Sequence, residues 1–309
     1  MEFSFSQEQE ELRREARSFL EANQEAPLAE LRELGWIGAS VAEERGGGGL
    51  SFVDEALLFE EAGRSLYAGP FLTTAVVVPA LPEVGDEAWS LELDGLVPDL
   101  DTADRVLRED MTAVLAEGKT LATMDETRPL GRLADRAEGE QLEGDFEPVR
   151  LRLLAGLAAE AVGVAQKALE LGVEYVSQRE QFGKKIGTYQ AVSHPLADTY
   201  VETELARSLA YWAAWCVAEG VDETEVATAA AKSYCADAAV AACERSIQVH
   251  GGIGFTWEHP LHRFYRRAQW LASFDGFPAA GRAEVAAALL ASDELPTIVR
   301  DPAGAATAS

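Results

Sequence analysis

The chain has 309 residues, 48% hydrophobic and 26% charged, enough apolar material for a large buried core and too much for a disordered polypeptide. Its 26 Lys and Arg stand against 53 Asp and Glu, a formal charge of −27, which argues against nucleic acid and anionic membranes as partners. Acids and bases interleave in the opening MEFSFSQEQEELRREARSFL, which therefore does not read as a signal peptide, and charges break every later apolar run short of a membrane span.

In chain order, Leu12, Ala16, Phe19 and Leu20 recur at helical spacing among Glu and Arg, so residues 7–23 are expected to form an amphipathic helix, with a second over 27–34. RGGGGL at 45–50 is expected to be a loop, followed by a helix capped by Ser51 or Asp54 and running to Arg64. From about Leu91 to Asp145 short alternating pieces separated by Asp, Gly and Pro read as strands and turns. Helices are expected to take over from Pro148. The stretch 150–178 is apolar on nearly all sides, as a central bundle helix roughly 40 Å long would be.

The next helix is expected to start near His194, with Pro195 in its first turn, and to end at Gly220. Asp222 and Glu225 have the spacing of a capping box for a third, reaching His250 and stopped by Gly251 and Gly252. Helices over 262–274 and 281–292 follow. The fold class is thus mainly α: helical domain 1–85, reduced β-domain 86–147, helical bundle 148–292 and a flexible tail 293–309. Cys216, Cys235 and Cys243 are odd in number and lack metal-ligand spacing, which suits a reduced, cytoplasmic setting.

Three places carry residues with chemical capability. Arg179 offers a planar fork of donors suited to a pyrophosphate, with Phe182, Gly183 and Gln190 close by; a surface ion pair at a helix end uses the same arginine. Gln248, Gly251, Gly252 and Gly254 would let a ligand approach the backbone, or would simply cap a helix and turn the chain. Asp275 stands between Phe274 and Phe277 at the end of a helix, either as a desolvated base or as an exposed terminal residue. Glu160 reads as a polar spot within the bundle. His259 and His262 lack a third ligand, and no metal is expected.

SQREQFGKKIGTYQ at 177–190, followed by QVHGGIGFTWEHP at 248–260, resembles the carboxy-terminal signatures of the acyl-CoA dehydrogenase family, flavoenzymes that desaturate acyl thioesters. The resemblance is strong over 148–292 and recognisable over 1–70, where LGWIGASVAEERGGGGLSF at 34–52 resembles the family's amino-terminal helical domain. It implies that Arg179, Phe182, Gln190, Gln248, Gly251 and Gly252 reach across a subunit interface to FAD held mainly by a neighbour. It also implies that Asp275, where many members have a glutamate before glycine, removes the substrate α-proton. A few branches draw the base from the central helix, but that position falls on Leu153. Arg263, Tyr265 and Arg266 match a stretch read as mainly structural.

The middle departs from the family. The threonine–glutamate–glycine–serine–aspartate and tryptophan–isoleucine–threonine patterns that hold the flavin ring are missing, and only DETRPLGRLADR at 125–136 resembles that domain's second half. Phe277 and Ala279 stand where the family has a threonine and a glutamine that touch FAD. A chain of this kind resembles the short subunit of heteromeric acyl-CoA dehydrogenases of steroid breakdown. That implies a full-length homologue as partner in a heterotetramer (α2β2), a bulky acyl-CoA as substrate, and an electron-transfer flavoprotein as acceptor. The rival expectation is a non-catalytic subunit that completes a partner's flavin site.

Overall fold

The computed structural model describes residues 4–134 and 139–291. The expected tail, 293–309, lies outside the described residues. Helix α1 (Gln7–Ala22) starts with a capping box: the Ser6 hydroxyl accepts from the Gln9 amide at 3.2 Å, and the Gln9 side chain accepts from the Ser6 amide at 3.0 Å. After the short α2 (Leu28–Glu33) and the glycine loop, Ser51 and Asp54 form a second capping box for α3 (Phe52–Ser65). Helix α4 (Phe71–Val77) is formed by FLTTAVV, a β-branched run without helical periodicity. Every residue in it is buried, so tertiary packing overrides the local strand preference.

Seven short strands follow: β1 (Trp89–Leu91), β2 (Val97–Pro98), β3 (Arg105–Leu107), β4 (Thr112–Leu115), β5 (Gly118–Leu121), β6 (Leu130–Leu133) and β7 (Gly139–Gln141). They make two small sheets, ordered β1-β3-β4-β7 and β2-β6-β5, all pairs antiparallel except β1–β3. Val97, Leu100, Val106 and Val114 form a small core of their own here. Thr74 of α4 joins this layer to the helices: its hydroxyl accepts from the Trp89 amide at 2.9 Å and donates to the Trp89 carbonyl at 3.0 Å.

The remainder is a bundle around α5 (Glu147–Gln178), with α6 (Gln190–Glu219), α7 (Thr224–His250), α8 (Leu261–Ser273) and α9 (Pro278–Ala291). Between α5 and α6 lies a hairpin of β8 (Glu180–Gln181) and β9 (Lys184–Lys185). Glycines bring α3 against α5: a Cβ on Gly63 would sit 2.1 Å from the Glu160 carbonyl oxygen, and one on Gly163 would sit 1.9 Å from that of Glu60. Two starts differ from expectation. Helix α6 begins at Gln190, so Pro195 lies inside it; the Ser193 amide already bonds the Tyr189 carbonyl, one turn before the proline. Helix α7 begins without a side-chain cap, because the Thr224 hydroxyl turns back to the Cys216 and Val221 carbonyls.

Five buried charges lie where the strand layer meets α5 and α8: Asp99, Asp125, Arg128, Glu160 and Arg267. Arg267 Nε donates to Asp125 Oδ2 at 2.5 Å, and its Nη1 donates to Glu160 Oε1. Arg128 Nη2 donates to the same Glu160 oxygen at 2.9 Å, while its Nε lies 3.8 Å from Asp99 Oδ2. Three carboxylates thus face two guanidiniums, and neither Asp99 oxygen receives a hydrogen bond from the described residues. Burial pushes the Asp99 carboxyl up to about 6, against the pull of Arg128 and Arg267.

A carboxyl raised above its ordinary 3.8 lends stability that is complete below the unfolded value and lost as pH rises through about 6. Asp99→Asn removes the charge and suits the positive φ of 51° at this position. It is expected to exceed the parent by up to about 3 kcal/mol at about pH 7.5 and to match it near about pH 4. Urea unfolding at both pH values checks this; a weaker Asn variant at the higher pH would mean that Arg128 outweighs burial.

Candidate functional site

Helix α8 ends at Phe274, whose ring stacks on Trp270 at 4.7 Å between centroids. Asp275 and Gly276 then both adopt positive φ, 50° and 85°, and turn the chain into α9. The Asp275 side chain is 11% exposed and faces the start of α5, where Arg150 Nε donates to Oδ2 at 3.1 Å. Oδ1 has no hydrogen-bond donor among the described residues. From α7, the buried Lys232 ammonium donates to the Asp275 carbonyl at 3.4 Å and to the Gly276 carbonyl. The expected apolar surround is therefore corrected on one side: Phe274 is buried but Phe277 is turned outward, and Arg150 meets the carboxylate while Lys232 meets the backbone beside it. A charge just past the end of α8 opposes that helix's dipole, and Arg150 and Lys232 offset it.

Glu160, considered in the sequence as a competing base, is 1% exposed and is held by Arg128 and Arg267, ten residues along α5 from Arg150. The sequence showed Glu160 as a polar spot but not its partners; the adjacent Arg266 and Arg267 were a further signal, and which of them is buried depends on the packing of α8. Leu153 is buried one helical turn from Arg150.

The second group sits at the other end of α5. Arg179 leaves the helix in extended geometry and is exposed, with no acidic side chain in ion-pair range among the described residues. Phe182 and Gly183 form the tip of the hairpin with φ of 54° and 79°, and Phe182 is 93% exposed. Gln190 is the exposed first residue of α6. Lys184 Nζ lies 4.1 Å from the Tyr189 ring centre, which steadies the base of the hairpin.

Gln248 is exposed near the end of α7, and Gly251 ends that helix with φ of 62° and ψ of −137°, a conformation that requires glycine. A Cβ on Gly251 or Gly252 would meet nothing within 4 Å, so packing within this chain does not account for Gly252. The two segments adjoin: the Tyr175 and His250 rings stack at 4.3 Å, and Ile186 and Val249 pack on Leu169, Val176 and Leu196. His259 lies 4.3 Å from His250, ring to ring, and burial pushes both imidazoles down. Among the described residues no group of three or more His, Cys, Asp or Glu is placed to hold a metal ion.

The structure thus brings the Arg179 and Gly251 segments together and keeps them apart from Asp275. Arg150, beside Asp275, and Arg179 mark opposite ends of α5, about 43 Å apart at the rise of an α-helix.

Residues 152–290 match the acyl-CoA dehydrogenase C-terminal domain, and residues 6–90 match the acyl-CoA dehydrogenase N-terminal domain. The chain is 34% identical over 254 residues to acyl-CoA dehydrogenase IpdE2 of Mycobacterium tuberculosis, covering 76% of this chain and 77% of that protein. The chain belongs to the acyl-CoA dehydrogenase family. Among solved structures, the ChsE4–ChsE5 complex from Mycobacterium tuberculosis superposes with a TM-score of 0.82 at 20% identity, over 95% of this chain and 100% of that one. The steroid ACAD Tcur3481–Tcur3483 gives 0.79 at 23% identity, over 92% and 98%. At these identities the two structures establish a shared fold.

Acyl-CoA dehydrogenases are FAD-dependent flavoproteins. The Arg179, Phe182, Gln190, Gln248, Gly251 and Gly252 set fits an extended dinucleotide: an exposed guanidinium without an ion-pair partner among the described residues, two exposed amides, an exposed aromatic ring and a glycine turn with clear space before it. No helix among the described residues is long and apolar enough to cross a membrane.

Proposed function

We propose that this acyl-CoA dehydrogenase is the short subunit of a heteromeric enzyme and desaturates an acyl-CoA thioester between Cα and Cβ. The carrying observation is the separation along α5. Asp275 sits at one end and the Arg179–Gly251 group at the other, about 43 Å away, too far for both to serve one cofactor within one chain. The base therefore works in one active site while the dinucleotide-facing set works in another, and each is completed by a second chain. A full-length homologue is the fitting partner, since the strand layer here is seven short strands without the family's flavin-ring motifs. Likeness in fold to a steroid ACAD and to the ChsE4–ChsE5 complex supports a heterotetramer acting on a bulky, steroid-type acyl-CoA, with an electron-transfer flavoprotein as acceptor.

FAD, when bound, supplies the acceptor for the β-hydrogen and its electron pair. Asp275 contributes the other half: Oδ1, without a donor among the described residues, takes the α-proton as the Cα–Cβ double bond forms. Arg150, holding Oδ2 at 3.1 Å, keeps the carboxylate aimed. The same pair supports the second reading, a non-catalytic subunit in which Asp275 merely ties α8 to α5.

The visible spectrum tests the shared site. The chain purified alone is expected to be colourless, and co-expressed with a full-length homologue from the same gene neighbourhood it is expected to be yellow. A yellow chain without a partner would overturn the proposal that the site is shared.

A further inference from the structure

We propose that Lys232 of α7 is the positioning residue for the base: by donating to the carbonyls of Asp275 and Gly276 it fixes the left-handed turn that aims the carboxylate. This rests on the reading of Asp275 as the base. An α8–α9 connection could be made in many ways, but here two consecutive residues take positive φ, and a non-glycine residue is one of them. Such a turn leaves carbonyls without helical partners, and one buried ammonium meets both. Lys232 is 5% exposed and forms no ion pair within 4.0 Å among the described residues, so its hydrogen bonds go to this backbone.

The charged groups facing it are Asp275 on the turn, Arg150 of α5 and Glu284 of α9. Helix α9 closes the far side, its Gly281 backbone lying so near α7 that a Cβ there would sit 2.2 Å from Ser233 Oγ. The turn is therefore gripped from α7 through a side chain and from α5 through Arg150, and the two cations hold different parts of one residue: backbone and carboxylate. Burial pushes the Lys232 ammonium down to about 8, against Asp275, so its charge changes within the range where activity is measured.

The test uses the assembled complex and an acyl-CoA that it turns over. Lys232→Met is expected to lower kcat by about 10²-fold with KM nearly unchanged, the cost of a base displaced by about 1 Å. In the full chain, exchange of the Phe274 and Ala280 amides, which bond the Trp270 and Phe277 carbonyls on either side of the turn, is expected to speed up while α7 stays protected. Lys232→Arg, which keeps a permanent charge, is expected to restore most of kcat and to abolish a fall in kcat that the parent shows as pH rises through about 8. Full kcat in the Met variant, or unchanged exchange at the turn, overturns the proposal. Should the Met variant fail to fold, the pH profiles of parent and Arg variant decide: no inflection in the parent overturns it. If Asp275→Asn keeps activity, the reading of the base has failed; if Asp275→Asn is inactive and Lys232→Met is normal, only the positioning role has.

Discussion

Asp275→Asn in the assembled complex is expected to lower kcat by about 10²–10⁴-fold, the range lost when a positioned general base is removed. Asn is the informative substitution because it tolerates the φ of 50° at this position, so the turn itself is not strained. It also keeps a donor-accepting oxygen for Arg150 Nε, now 3.1 Å from Oδ2. A structural change would shift thermal unfolding along with rate, whereas loss of a base lowers rate alone. Asp275→Glu, with the longer side chain, is expected to retain more activity than Asn, because a carboxylate remains. If the Asn variant turns over within about threefold of the parent, a loss far below the usual range for a general base, the non-catalytic reading stands and the ion pair is a tie between helices.

Arg267→Met is expected to cost about 3–5 kcal/mol of stability, the usual consequence of removing one partner from a buried charge group. The guanidinium is completely buried and serves five acceptors: Asp125, Glu160, the Tyr67 and Thr127 carbonyls and the Thr127 hydroxyl. Without it, Asp99, Asp125 and Glu160 would face Arg128 alone. Burial pushes the Asp125 carboxyl up, but Arg267 and the Thr127 donors overcome it, and the net direction is down. Such a carboxylate contributes stability above its unfolded value and loses it as pH falls through the folded value. The Met variant should therefore lie furthest below the parent near neutral pH and approach it in acid. Denaturant unfolding across pH measures this, and a loss under about 1 kcal/mol would show that the cluster is not what holds the strand layer to α5 and α8.

Legibility followed the range of the interactions. The capping boxes at Ser6 and Ser51 and the stop at Gly251 are events within a few residues, and the sequence displays them. Helix α4 was invisible because its β-branched residues favour a strand until burial on all sides decides otherwise. The start of α7 misled for a related reason: the Asp222 and Glu225 spacing is right for a cap, but the Thr224 hydroxyl reached a carbonyl of α6 instead. In the candidate site, the residue types and their order were readable, while their company was not. Nothing near Asp275 in sequence announces Arg150, which lies 125 positions away, or Lys232, which lies 43 away.

By itself the sequence determined the mainly helical architecture, the two family motifs around Arg179 and Gly251 and the aspartate at the end of α8, because periodicity, capping chemistry and motif spacing are written in neighbouring residues. Only the tertiary structure decided that the motifs and the aspartate stand at opposite ends of one 32-residue helix, and that Arg150 meets the aspartate's carboxylate and Lys232 its carbonyl. Those facts depend on how α5, α7 and α8 pack. Packing sums many weak contacts between distant segments, so no short stretch of the chain encodes its outcome.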